Sequence, residues 1–314
     1  MTEKFAYVFP GQGAQYQGMG KDFFENYEEA KKVFQTADKI LNKNISEICF
    51  NGNEQELKMT VNTQPCIVAV EIAILEVLKK ELNIEPFAVA GHSLGEYSAM
   101  YAAGVLNLED TFLAIQKRAN SMSSVHDGKM AAVISDDIEL INKCLNDAKS
   151  LGIISIANYN SPKQVVITGE NRAVDEAMEL LSANGIKKII PLAVSGAFHS
   201  ELMKISAEDF SSILDKIKIN NSKIPVYTNV DGKPEILAEN FREKMPKQIY
   251  SSVYWTQTIQ NMVNDGVTTF VEIGPGRVLS GLIRKTVPDA RVFNLSDMST
   301  LKSTIEEIKV KEII

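Results

Sequence analysis

The chain has 314 residues, with 45% apolar and 23% charged side chains, the ordinary balance of a globular protein long enough to bury a full core. A formal charge of −7 argues against a nucleic-acid-binding protein, which needs a basic face. No low-complexity tract or repeat interrupts the chain, so one large domain or two unequal ones are expected.

The first predicted strand is Phe5–Phe9, reached directly from a polar N-terminus that does not read as a signal peptide. The glycine-rich run Pro10-Gly11-Gln12-Gly13-Ala14-Gln15 follows, and helical patterns cover about Phe23–Leu41 and Pro65–Leu82. The longest apolar stretch, Cys66 to Leu78, is broken by Glu71 and Glu76 and is too short to span a bilayer, so a buried helix and no membrane association are expected. Thr63-Gln64-Pro65 reads as its cap, with proline near the first turn. Cys49, Cys66 and Cys144 have no metal-ligand spacing and fit core thiols in a reducing cytoplasm, with no disulfide and no zinc.

The most informative segment is Phe87-Ala88-Val89-Ala90-Gly91-His92-Ser93-Leu94-Gly95-Glu96. An apolar strand runs into Gly-x-Ser-x-Gly and then into a helix, the context of a nucleophile elbow. The tight turn lifts the Ser93 hydroxyl above the sheet, and glycines leave room where strand and helix approach. The new helix brings free backbone N–H groups beside the serine, where an oxyanion would form. A further helix covers Leu108–Met122. This alternation predicts a mostly parallel sheet covered on both faces.

From Gly128 the pattern changes to strand (Met130–Ile134), helix (Ile138–Ala148), strand (Ile153–Ala157), strand (Gln164–Thr168), helix (Ala173–Ala183) and strand (Lys188–Pro191). That order, β-α-β-β-α-β, is a ferredoxin-like unit. The reading is therefore an inserted subdomain, 128–194, within a large α/β domain formed by 1–127 and 195–314. Strands at Ile224–Asn229 and Thr269–Ile273, and a sharp Gly274-Pro275-Gly276 loop into a helix, complete the chain.

There are only three histidines. His92 adjoins the serine and points elsewhere, so a structural role suits it. His126 lies in a polar hinge and is expected in solvent. His199, in the small-residue turn Gly196-Ala197-Phe198-His199, is the one placed to serve as base for Ser93. No histidine follows it, unlike the Ser, acid, late-His order of α/β-hydrolases, and no His-Gly-Gly-Gly-type loop is present. On the Leu108–Met122 helix, Leu108, Phe112, Ile115, Ala119 and Met122 share an apolar face with Arg118 at its flank. An inward arginine needs an anionic partner. The wheel leaves open a structural ion pair, the commoner case, and a guanidinium that takes a substrate carboxylate.

Six segments in this order resemble the malonyl-CoA:acyl carrier protein transacylase family: Pro10-Gly11-Gln12-Gly13, Gly91-His92-Ser93-Leu94-Gly95-Glu96, Gln116-Lys117-Arg118, Asn158-Tyr159-Asn160-Ser161-Pro162, Gly196-Ala197-Phe198-His199 and Glu272-Ile273-Gly274-Pro275-Gly276. The resemblance covers essentially the whole chain and implies an α/β-hydrolase-like large domain with a ferredoxin-like insert. It implies an acyltransferase that moves malonyl from malonyl-CoA to the phosphopantetheine thiol of acyl carrier protein, by ping-pong transfer through an ester on Ser93, for fatty-acid synthesis. His199 would be the base, with its orientation set by the Gln248 backbone carbonyl. The backbone N–H groups of Gln12 and Leu94 would hold the oxyanion, Arg118 would clamp the malonyl carboxylate, and Phe198 would leave little room for an α-methyl group. Asn160 and Gln64 match positions near the site without an assigned role. No metal or redox cofactor is implied. The acidic carrier protein would meet local basic residues such as Lys187, Lys188, Arg284 and Lys285. Rival readings are a free-standing acyltransferase that loads a polyketide synthase, a serine hydrolase of acyl thioesters, and a non-catalytic scaffold of the same fold.

Overall fold

The computed structural model describes residues 3–310 apart from Asn83, His126 and Ser195; the expectation for His126, and the Ser195 boundary, lie outside the described residues. Strands β1 (Phe5–Phe9), β2 (Ala88–Gly91), β7 (Val226–Tyr227), β8 (Pro234–Glu235), β9 (Thr269–Ile273) and β10 (Arg291–Leu295) form one sheet in the order β10-β9-β1-β2-β7-β8. Every pairing is parallel except β7 with β8. Alternate residues of β1 enter different cores. Phe5, Tyr7 and Phe9 join the larger cluster built with the Thr60–Glu81 helix, while Ala6 and Val8 join a smaller one with Trp255, Ile259 and Phe270. A sheet buried on both faces explains why β1 and β2 read as continuous apolar runs.

The second sheet comprises β3 (Lys129–Val133), β4 (Ile154–Ser161), β5 (Gln164–Gly169) and β6 (Ile189–Pro191), in the order β4-β5-β3-β6 and antiparallel throughout. Helices Ile138–Ala148 and Asn171–Ala183 cover it, with their own apolar cluster. The mixed α/β architecture expected from the sequence, a mostly parallel sheet with a separate βαββαβ unit, is the one present.

Three local expectations need correction. The helix expected over Phe23–Leu41 is two, Lys21–Asn26 and Glu28–Leu41, because Tyr27 takes extended backbone between them. The helix expected from Pro65 begins at Thr60, with Pro65 inside it. Proline has no N–H for the carbonyl four residues back, that of Val61. Lys43 Nζ at 3.0 Å and Gln116 Nε2 at 3.4 Å donate to that carbonyl instead. The strand expected over Ile224–Asn229 is only Val226–Tyr227, since Thr228 to Gly232 close a turn and free the Asn229 side chain for other work. Thr60–Glu81 is long and apolar enough to cross a membrane, yet it is packed inside the core. The three cysteines are free and buried.

Candidate active site

The elbow sits at the C-terminal end of β2, beside the centre of the parallel sheet, where α/β folds place their sites. Close packing makes it possible. A Cβ on Gly91 would lie 1.9 Å from the Gly95 carbonyl carbon, and one on Gly95 would lie 2.3 Å from the Phe9 carbonyl oxygen. Between them Ser93 adopts φ 53, a left-handed conformation that costs a side-chain-bearing residue about 1–3 kcal/mol and persists only when its surroundings enforce it. His199 is held similarly, at φ 59.

The Ser93 hydroxyl lies 2.8 Å from His199 Nε2. On the other side of the ring, Nδ1 faces two backbone carbonyls, Gln248 at 2.9 Å and Ser251 at 3.2 Å. Carbonyls only accept, so Nδ1 carries the proton and donates to them, which leaves the Nε2 lone pair for the serine O–H. Among the described residues no carboxylate takes part. Burial is the main reason the imidazole pKa is pushed down to about 3; the nearby Arg118 charge adds to this, and the two carbonyls oppose it. The ring is therefore neutral at ordinary pH and able to accept a proton from serine.

Arg118 is fully buried on the helix Leu108–Ser123. Its Nη1 donates to Gln64 Oε1 at 2.8 Å, and Nη2 donates to Ser93 Oγ at 3.0 Å and Gln248 Oε1 at 3.0 Å. Its guanidinium carbon lies 5.7 Å from the centre of the Tyr97 ring. Among the described residues no carboxylate forms an ion pair with it; Glu96 and Tyr97 act on it only through space. A buried cation held by neutral amides, with one edge turned to the Ser93 hydroxyl, can receive an anionic group there.

Gln64 and Asn160, which sequence reasoning left without a role, each have one partner of note. Gln64 holds Arg118, and Asn160 Oδ1 lies 2.8 Å from His92 Nε2. His92 packs edge-on against Trp255 and reaches the insert rather than Ser93. The Gln248 side chain does as much as its carbonyl, for Nε2 donates to the Ser93 carbonyl at 2.7 Å while Oε1 accepts from Arg118. Asn229 and Glu96, which the sequence places in an expected strand and in the elbow motif, carry roles that it does not assign. Their only trace in the sequence is a polar residue at the end of a short strand and a glutamate in the first turn of a small-residue helix.

A cavity of about 110 Å3 opens on Ser93, lined by Gln12, Leu94, Arg118, Met122, Phe198 and His199 among others. The backbone N–H groups of Gln12 and Leu94 donate to no other described group. A second cavity of about 520 Å3 shares Gln12, Leu192 and Val194 as walls and extends past Tyr16, Leu57 and Lys58. Fold and site together define an α/β acyltransferase, and residues 6–311 match the family model of the acyl transferase domain.

More narrowly, the chain belongs to the malonyl CoA-acyl carrier protein transacylases. It is 41% identical over 310 residues to the protein of that name from Bacillus subtilis (strain 168), covering 98% of each chain. The Staphylococcus aureus (strain MW2) protein of the same name is 39% identical over 95% of this chain and 97% of its own. The crystal structure of the Clostridium perfringens transacylase superposes with a TM-score of 0.94 at 38% identity, over 99% of this chain and 98% of that one. A malonyl-transacylase solved in complex with a type II polyketide acyl-carrier protein superposes with a TM-score of 0.94 at 36% identity, over 97% of this chain and all of that one.

Proposed function

We propose that this enzyme transfers malonyl from malonyl-CoA to the phosphopantetheine thiol of acyl carrier protein, for fatty-acid synthesis, through an ester on Ser93. The observation that carries the reading is Arg118, a buried guanidinium with no carboxylate partner among the described residues and an N–H 3.0 Å from the Ser93 oxygen. The free carboxylate of a malonyl thioester supplies the missing anion in the bidentate geometry arginine favours.

His199 Nε2 takes the Ser93 proton as Oγ attacks the thioester carbonyl. The N–H groups of Gln12 and Leu94 receive the developing oxyanion, and the carbonyls of Gln248 and Ser251 stabilise the imidazolium through Nδ1–H. Collapse breaks the C–S bond, and the leaving thiolate of coenzyme A takes the proton from Nε2. In the second half His199 removes the proton of the carrier thiol, sulfur attacks the Ser93 ester, and Oγ recovers the proton as it leaves. One thioester replaces another of similar energy, so neither a metal nor a redox cofactor is required. The 110 Å3 cavity suits a short acyl group, Phe198 narrows it against an α-substituent, and the adjoining 520 Å3 cavity suits the pantetheine arm. Free buried thiols fit a cytoplasmic enzyme.

A second reading, loading of a polyketide carrier, draws on the related transacylase solved with such a partner; it changes the acceptor and not the chemistry. The test is intact-mass analysis after incubation with malonyl-CoA. One malonyl group should map to Ser93, be absent in Ser93→Ala, and discharge onto holo-carrier protein far faster than to water. Malonate on Cys66, or discharge to water as fast as to carrier, would refute the assignment.

A further inference from the structure

The elbow raises a question that the reacting groups do not answer. Ser93 holds a strained φ of 53 with its oxygen aligned on His199, and something must enforce that conformation. Asn229 does so from the turn after β7. Its Oδ1 accepts from the Ser93 backbone N–H at 2.8 Å, and its Nδ2 donates to the Gly91 carbonyl at 2.7 Å. One side-chain amide thus grips the backbone on both sides of His92, one bond at the last residue of the strand and one at the nucleophile itself. The Gln248 amide completes the clamp, donating to the Ser93 carbonyl at 2.7 Å and to Asn229 Oδ1 at 3.3 Å.

Asn229 is itself fixed. It is fully buried; its backbone N–H donates to Glu96 Oε2 at 2.6 Å, and its carbonyl accepts from the Tyr254 N–H at 3.0 Å. Glu96 belongs to the helix that leaves the elbow, so the brace runs from that helix to Asn229 and back to the turn in front of it. Because the Ser93 N–H is occupied by Asn229, the donors left to face an oxyanion are those of Gln12 and Leu94.

Resting on the reading of Ser93 as nucleophile, we infer that Asn229 is a positioning residue for the acylation step, anchored by Glu96, which holds the elbow in its strained left-handed turn and so keeps the Ser93 oxygen aligned with His199 and with the Gln12 and Leu94 donors. An amide is required because the two backbone groups demand one acceptor and one donor from one side chain. Aspartate, when ionised, offers only acceptors and would repel the Gly91 carbonyl. Leucine fills the space and makes neither bond.

The experiment measures single-turnover formation of malonyl-Ser93 together with steady-state KM and the malonyl-to-acetyl preference, in wild type, Asn229→Leu and Asn229→Asp. Misplacement of a reacting atom by about 1 Å costs on the order of 100-fold, so Asn229→Leu should slow acylation about 10- to 100-fold and Asn229→Asp less. KM for malonyl-CoA and the malonyl preference should stay near wild type, since Arg118 and the cavity walls are untouched. Folded variants that acylate at the wild-type rate would overturn the inference. So would a loss accompanied by a matching rise in KM and loss of malonyl preference, because Asn229 would then act through binding. Should Asn229→Leu fail to fold, Asn229→Asp decides. In the unmutated protein the Ser93 amide must also exchange its hydrogen as slowly as a core strand; exchange at the rate of an open loop would refute the clamp without any variant. A wild type that forms no adduct on Ser93 would instead overturn the proposed function.

Discussion

On the proposed function, substrate choice turns on Arg118. Its amide and hydroxyl partners, Gln64, Gln248 and Ser93, are neutral, so removing it breaks no ion pair among the described residues. What is lost is the partner of the substrate carboxylate, which would be left desolvated at a cost of roughly 2–5 kcal/mol. Arg118→Ala should therefore lower kcat/KM for malonyl-CoA by about 1.5 to 3.5 powers of ten, while acetyl-CoA, which never used the clamp, holds level or improves. Arg118→Lys should recover only part of the loss, since a point charge cannot make the fork contact. The ratio of kcat/KM for the two substrates checks this; a parallel fall in both would make Arg118 a structural residue. His199 supports a second prediction. Its pKa lies near 3, below the value of about 6.5 in an unfolded chain. The base is thus already neutral throughout the physiological range and becomes protonated only as pH falls towards 3. The rate on the acid side should show no histidine limb between about pH 5 and 8. The same displacement makes the folded state bind fewer protons than the unfolded one, so this residue contributes stability that is present above about 6.5 and is lost as pH falls. A pH profile of kcat/KM with an acid limb near 6.5 would show that the ring is not held neutral.

At the scale of elements, the helix Thr60–Glu81 carries an internal proline whose unpaired carbonyl, that of Val61, is served by Lys43 and Gln116. Lys43→Met should leave that carbonyl with the longer Gln116 contact alone and cost about 1–3 kcal/mol in chemical denaturation. Catalytic parameters should stay within about twofold, because Lys43 lies outside the cavity at Ser93. A loss of activity without a loss of stability would contradict this. The same helix shows where the sequence was legible and where it was not. The elbow and the βαββαβ elements could be read because each depends on short-range pattern: apolar strand, small residues, helix of matching period. Ile138–Ala148 and Thr269–Ile273 have the expected bounds for that reason. Pro65 misled because a proline that opens a helix and one buried within it carry the same local signal. The difference lies in whether a distant lysine can serve the freed carbonyl. The roles of Asn229 and Gln64 were illegible for a related cause. Their partners are 136 and 54 residues away, and an amide side chain belongs to no periodic pattern that would announce them.

The whole molecule is joined across its two sheets at the site. β4 meets the segment Ser252–Thr256 through reciprocal backbone bonds between Ala157, Val253 and Tyr159, and Tyr159 stacks on Tyr254 at 5.1 Å. Ser251, whose carbonyl accepts from His199, immediately precedes that seam. Asn160 meanwhile reaches His92 on the elbow. The small sheet therefore helps to support the groups around the reaction and walls part of its cavity with Met130 and Asn158. At longer range, a chain of net charge −7 is expected to meet an acidic carrier protein through local basic residues. Lys187, Lys188 and Lys285 are exposed, and Arg284 is exposed while donating to the Val292 carbonyl. Charge at a rim acts mainly on encounter and is screened over about 10 Å at 0.1 M salt. Transfer to carrier protein should slow as salt rises, while acylation by saturating malonyl-CoA changes little; equal salt response of both half-reactions would count against a basic docking rim. The two cavities that share Gln12, Leu192 and Val194 have a consequence for traffic. On the proposed function one doorway would serve both visitors, since spent coenzyme and waiting carrier would arrive on the same kind of arm and need the same corridor. Each must vacate it before the other enters, so the two are rivals, and a surplus of free coenzyme holds the door against the carrier. Because the two thioesters have similar energies, the transfer itself favours neither direction. The direction of net flow is set from outside, by the relative abundance of the two thiols and of their charged forms.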